Sequence, residues 1–188
     1  RTPLRWAASR KHQLAMQFLL NQGAEVGSKD PAGKTSLSLA AFGGHQFATK
    51  LLLSHGADIE TKDDASDLPT PLSWAAMGGH QSAVDTRAVL AHGADIEAKD
   101  NTDRTPLSWA AMVGRAENVE LLARGTNTEA KDNTGHTPLS WAAERRKNSP
   151  FLWKSEQERQ ANIRVLLDHS ADIEVKDNTA RARPGWAG

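Results

Sequence analysis

The sequence predicts an all-α solenoid of stacked helix pairs, and three observations carry that expectation. A phrase recurs: "RTPLRWAA" at 1–8, "KTSLSLAA" at 34–41, "TPLSWAA" at 70–76, "RTPLSWAA" at 104–111 and "HTPLSWAA" at 136–143. With Thr as phase, the units start at Thr2, Thr35, Thr70, Thr105 and Thr137, spaced by 33, 35, 35 and 32 residues. A near-constant period in this range marks a chain built from one supersecondary unit stacked on itself. Each unit also carries the local signals of two helices and a loop, taken in order below.

The first helix opens with Thr as its cap and Pro as its first residue, where a missing amide costs nothing. Leu107, Ala110, Ala111 and Gly114 follow at helical spacing and make a narrow face of small residues that lets a neighbouring helix come close. A Gly-His turn at 43–45 and 78–80 leads to a second amphipathic helix, "QFATKLLLSHGAD", ended by Gly56 as a left-handed cap. "ADIEAKDNTDR" is rich in turn formers and reads as an extended loop into the next Thr.

The pattern T-P-L-x-x-A-A, then G-H, then L-L-x-x-G-A-D-I-E, resembles the ankyrin repeat over essentially the whole chain. The resemblance implies antiparallel helix pairs with projecting hairpin-like loops, and a module that binds other proteins without catalysis. The units are then about 2–34, 35–69, 70–104, 105–136 and 137–181, the last with an insertion at 144–158, and a degenerate partial repeat at 182–188. The wording "TPLSWAA…HGADIEAKD" is also similar to ankyrin arrays of fungal multidomain proteins, including NACHT-type receptors.

Departures from the pattern set further expectations. The His usual after T-P-L is Arg5, Ser38, Ser73, Ser108 or Ser140 here, so its bond to the Thr hydroxyl must be remade by Ser or lost. The third repeat is expected to be two residues longer within its second helix, and the fourth is one shorter, with Thr128 where Ile59, Ile96 and Ile173 stand. In the fifth repeat the second helix is expected to restart at Ser155, with Ser155 and Glu158 as a capping box. The second half should be the looser one.

Composition excludes more than it assigns. In these 188 residues, 23 basic and 23 acidic side chains cancel, which gives no global field for nucleic acid or an anionic membrane. Cysteine is absent, so disulfides and thiolate metal sites are excluded. No run is long enough to span a bilayer, and the opening residues do not form a signal peptide. An intracellular setting, cytoplasmic or nuclear, is expected. The start inside the repeated phrase, without Met, points to a partial or trimmed chain, expected to be a monomeric module of a larger protein.

No catalytic residue, metal ligand or cofactor is expected. Of the seven histidines, His12, His45 and His80 share one repeat phase and His55, His92 and His169 another, which suits side chains bonding carbonyls at helix ends rather than chemistry. The Lys-Asp pairs such as Lys62-Asp63 and Lys99-Asp100 also share a phase, about 10 Å apart between repeats. That is too far for a shared proton. No phosphate loop, nucleophile elbow or zinc-protease motif occurs.

Trp6, Trp74, Trp109 and Trp141 lie off the small-residue face on a helical wheel and are expected to fill space between successive first helices. Leu39 takes the same place in the second repeat, so Leu in place of Trp109 is expected to cost little. Three residues beyond each of these positions come Ser9, Phe42, Met77, Met112 and Glu144. In the resembling family this position faces the concave binding side, so Phe42, Met77 and Met112 are the candidate contact stripe; the alternative is that Met77 and Met112 cover the tryptophans through sulfur–aromatic contact. The expected rim is Lys34, Arg104 and His136, one residue before their Thr, and the insertion adds Phe151 and Trp153 as anchors. The rival reading is a structural spacer whose partner surface lies outside these residues.

Overall fold

The computed structural model describes residues 2–62, 70–78, 83–144 and 156–174, which form ten helices and no strand. The first repeat pairs α1 (Pro3–Ser9) with α2 (Gln13–Asn21), and the second pairs α3 (Ser36–Phe42) with α4 (Gln46–Ser54). Then come α5 (Pro71–Met77) with α6 (Val84–Ala91), α7 (Pro106–Val113) with α8 (Ala116–Ala123), and α9 (Pro138–Ala143) with α10 (Glu156–Asp168). The first helices α1, α3, α5, α7 and α9 pack in sequence on one another as one layer, and second helices cover it, α4 against α6 and α8 against α10.

Helix starts follow the sequence chemistry. Thr35, Thr70, Thr105 and Thr137 each accept a bond from the backbone N–H of the Ser three residues on, and the two hydroxyls also meet, 3.2 Å apart for Thr35 and Ser38. Serine thus takes over from histidine in four repeats. In the first, Arg5 occupies that place, Thr2 makes no side-chain cap, and its hydroxyl is buried without a partner. At the other end Gly23, Gly56 and Gly93 have φ of +79°, +79° and +89°, a region that favours glycine.

One expectation changes. The helix α6 has eight residues against nine in α4, so the extra residues of the third repeat lie ahead of Val84 and not within the second helix. A helix cannot take two more residues without turning its buried face by about 200°. Thr128 is buried and donates to the carbonyl of His169 at 3.4 Å, so its hydroxyl is paired in the place of an isoleucine. The second helix of the fifth repeat begins at Glu156. Ser155, and with it the capping box, falls outside the described residues.

The core is apolar and continuous between repeats: Leu4, Leu37 and Leu52 at one end, Leu72, Trp74 and Val89 in the middle, and Leu107, Leu122, Leu139 and Leu166 at the other are all buried. A polar seam runs through the second helices. Thr49 donates to buried Asp85 at 2.7 Å, and Thr86 donates to Asn118 at 2.9 Å. The Asn118 amide in turn donates to the carbonyls of Ala75 and Ala76, 3.3 and 2.8 Å away. Asn162 holds the same place in α10, but the residue matching the donor Thr86 is Val119, and both of its amide atoms are buried without partners. Two asparagines in one phase therefore have opposite energetics. Asn118→Leu is expected to destabilise by about 2–4 kcal/mol, because a hydroxyl and two carbonyls lose their partner, whereas Asn162→Leu is expected to stabilise by about 1–2 kcal/mol. Urea unfolding of the two variants reads both signs.

Candidate protein-interaction surface

The loops that lead into α3, α7 and α9 are each built around one aspartate. The Asp100 N–H donates to the Arg104 carbonyl at 3.0 Å, and its Oδ1 accepts from the Thr102 N–H, the Thr102 hydroxyl and the Arg104 N–H at 2.7, 2.7 and 3.0 Å. Its Oδ2 accepts the indole N–H of Trp109 at 2.9 Å. Asp132 repeats the set with Thr134, His136 and Trp141, whose indole N–H lies 3.0 Å from Oδ2. Asp30 closes its loop in the same way through Ala32 and Lys34, but nine residues on stands Leu39, and its Oδ2 accepts from Arg5 of the first repeat instead.

The tryptophans are thus anchors as well as filling. Trp74, Trp109 and Trp141 are buried, as volume filling requires, while Trp6 is 46% exposed with Arg10 5.2 Å over its ring. Cations cap the buried indoles: Lys34 lies 4.5 Å over Trp74, and Arg104 lies between Trp109 and Trp141 at 5.1 and 4.9 Å. His136 stacks on Trp141, centroids 4.7 Å apart. Such contacts are worth about 0.5–1 kcal/mol each where water reaches them.

The loops are also tied to each other. Glu60 accepts from the Asp95 N–H, Glu97 from the Asn127 N–H and Glu129 from the Asp172 N–H, each reaching across to the following repeat. Asn133 N–H donates to the Thr102 carbonyl between adjacent loops at 3.0 Å. Four of the six phase-sharing histidines bond carbonyls: His45 that of Ala8, His55 that of Leu51, His92 that of Ala88 and His169 that of Val165; His80 lies outside the described residues. A Cβ on Gly43 would meet the His45 ring at 2.7 Å, so glycine makes room for that bond.

The expected contact residues separate into three groups. Phe42 ends α3, 41% exposed, its ring edge-on to Trp74 at 5.2 Å. Met112 is half-buried, and Lys34, Arg104 and His136 are half-buried against indoles. Met77 is a correction. It is only 2% exposed and packs in the core with Trp74, Trp109 and Val113, so the row of three apolar contacts is broken at its centre. The physical reason lies in the close approach of α5 to α3, where a Cβ on Gly78 would lie 2.7 Å from the Phe42 carbonyl oxygen. Phe151 and Trp153 lie outside the described residues.

Among the described residues no group of three or more histidine, aspartate or glutamate side chains converges as a metal site, and no helix is long and apolar enough to cross a membrane. The loop aspartates are committed to structure. Burial by itself would raise the Asp132 carboxyl, but bonds from the Thr134 hydroxyl, the His136 and Thr134 amides and the Trp141 indole hold it below the ordinary value. For Asp30, burial also pushes upward, and the Lys34 amide, Arg5 and the Ala32 amide outweigh it.

Two expected outcomes follow from the aspartate network. Trp109→Leu is expected to cost about 3–4 kcal/mol rather than little, since it removes ring volume and strands a buried carboxylate oxygen; Leu39 is tolerated because Arg5 serves Asp30. Chemical denaturation of Trp109→Leu against the parent chain measures this. A carboxyl depressed in the folded state adds stability above its unfolded pKa and loses it as pH falls through the folded value. Stability is therefore expected to drop as pH falls below the ordinary aspartate value of 3.8, and Asp132→Asn to flatten that fall. Melting temperature against pH for both chains tests it.

The sequence was compared with known families and proteins. The comparison with curated proteins found no match. The family model described as "Ankyrin repeats (3 copies)" matches residues 1–63, 63–132 and 87–177, nearly the whole chain. With the helix pairs, the stacking and the aspartate-closed loops in place, the chain belongs to the ankyrin repeat family.

Proposed function

We propose that the chain recognises another protein through the ends of its first helices and its loop tips, with no chemistry of its own. Ankyrin repeats are in general protein-interaction modules. The observation that carries the reading for this chain is Phe42: a large apolar side chain left exposed and held edge-on by Trp74, whose ring also carries the Lys34 ammonium. An exposed apolar group of defined orientation is suited to be an interface anchor. Met112 supplies a second, adaptable apolar contact two repeats on, about 20 Å away. Arg104 and His136 form the rim, and Phe151 and Trp153 of the insertion are further candidates by sequence. The proposed setting is intracellular, within a longer protein of the fungal NACHT-type kind that the wording resembles, and nucleic acid is not the proposed partner.

The spacer reading has one observation in its favour. Leu14 and Phe18 on the outer side of α2 are 82% and 66% exposed, in the register of Phe47 and Leu51 in α4, and Leu51 is partly covered by the core of the first two repeats. A pull-down with quantitative mass spectrometry separates the two readings. Proteins captured by the parent chain are expected to be lost with Phe42→Asp and kept with Arg164→Gln on the exposed side of α10. Identical capture by the parent and Phe42→Asp would show that the interface lies elsewhere.

A further inference from the structure

The turn that joins α7 to α8 breaks the repeat rule in a way that leaves a cation without a task. In the second repeat this turn ends in His45, whose ring bonds the Ala8 carbonyl of the preceding repeat. In the fourth it ends in Arg115, past the left-handed Gly114 with φ of +82°. The matching carbonyl in the preceding repeat is that of Ala76, and Asn118 already holds it at 2.8 Å, together with Ala75. The structural role of the position has therefore passed to a neighbour three residues on. Among the described residues the Arg115 guanidinium has no hydrogen-bond or ion-pair partner; its Nε is buried without a hydrogen bond, as are those of Arg5 and Arg104, but those two guanidinium groups have a carboxylate and Arg115 has none.

The other buried arginine stems are answered by a side chain. Arg5 has Asp30, and Arg104 has Asp132 at 3.6 Å and two indole faces. Arg115 stands out because it is half-buried yet uncompensated, a state that an arginine leaves readily when a carboxylate offers a paired, charge-assisted bond. Its place matters too. Phe42 ends α3 and Met112 lies in the last turn of α7, so in-register stacking puts Arg115 at the same end of the helix pairs as both apolar anchors. That end also carries exposed Arg10 and Lys11 in the first repeat, against half-buried Glu144 and the exposed Glu117, whose carboxylate accepts from the Ala83 N–H.

We propose that Arg115 is the charged specificity contact of this surface, and that its partner presents a carboxylate beside an apolar side chain on an acidic segment. The inference rests on the proposed interaction surface and adds the chemistry of the partner. An arginine that gains a carboxylate while partly shielded from water gives about tenfold or more in affinity over an uncharged isostere.

The probes are three synthetic amphipathic peptides with leucines at helical spacing, flanked by Glu, Gln or Lys, titrated onto the full chain at low and physiological salt. Fluorescence anisotropy gives affinity, and the Arg115 side-chain Nε–H resonance reports contact at that residue. The Glu peptide is expected to bind about tenfold or more tightly than the Gln peptide and to shift the Nε–H signal. Arg115→Gln, checked for unchanged circular dichroism, is expected to remove that difference, and Arg164→Gln to keep it. Equal binding of the Glu and Gln peptides, a preference for the Lys peptide, an unmoved Nε–H resonance, or no binding of any peptide overturns the proposal. Phe42→Asp distinguishes the two levels: if it abolishes binding of the Glu peptide while Arg115→Gln leaves that binding unchanged, the surface stands and the acidic partner falls.

Discussion

The structure depends on an aspartate that faces two ways. One carboxylate oxygen of Asp100 or Asp132 closes the loop on its own backbone, and the other fixes the indole of a first helix nine residues later. Loop and helix cannot then move independently. A buried carboxylate is costly unless its lone pairs are filled, so the loop conformation, the helix start and the tryptophan rotamer are selected together. Asp30 shows the same demand met by another donor, since Arg5 of the preceding repeat supplies what Leu39 cannot.

Stacking adds directional bonds to an interface that would otherwise be only apolar. Glutamates at 60, 97 and 129 accept backbone N–H groups of the following repeat, and the Thr49–Asp85 and Thr86–Asn118 pairs cross between second helices. Each is worth about 1 kcal/mol net, but an interrupted one leaves a buried polar group at greater cost. Register is specified by that penalty more than by the gain. Asn162 is where the scheme fails, because the alternation of donor and acceptor along the second helices meets Val119.

The surface follows from the same allocation. Side chains with a structural duty are turned inward or laid over indoles, and near the ends of the first helices Phe42 stays exposed while Met112 and Arg115 are half-buried. Met77, which shares a phase with Phe42, was absorbed by the core because α5 approaches α3 closely at Gly78. Phase in a repeat gives equivalence of backbone position, and exposure depends on how tightly each neighbour sits.

The sequence by itself determined the all-α stack, the phase of each helix start, the Thr caps, the glycine ends and the carbonyl-bonding role of four histidines, because all of these rest on interactions within a few residues or on strict repetition. The nine-residue step from Asp132 to Trp141 can be counted along the chain, but as spacing without a cause. Only the tertiary structure decided that this step is a hydrogen bond, that Met77 is core, that Asn118 and not Arg115 bonds the Ala76 carbonyl, and that Asn118 and Asn162 differ in worth. Each of these depends on which atom of an adjacent repeat lies within about 3 Å, a distance that periodicity along the chain does not encode.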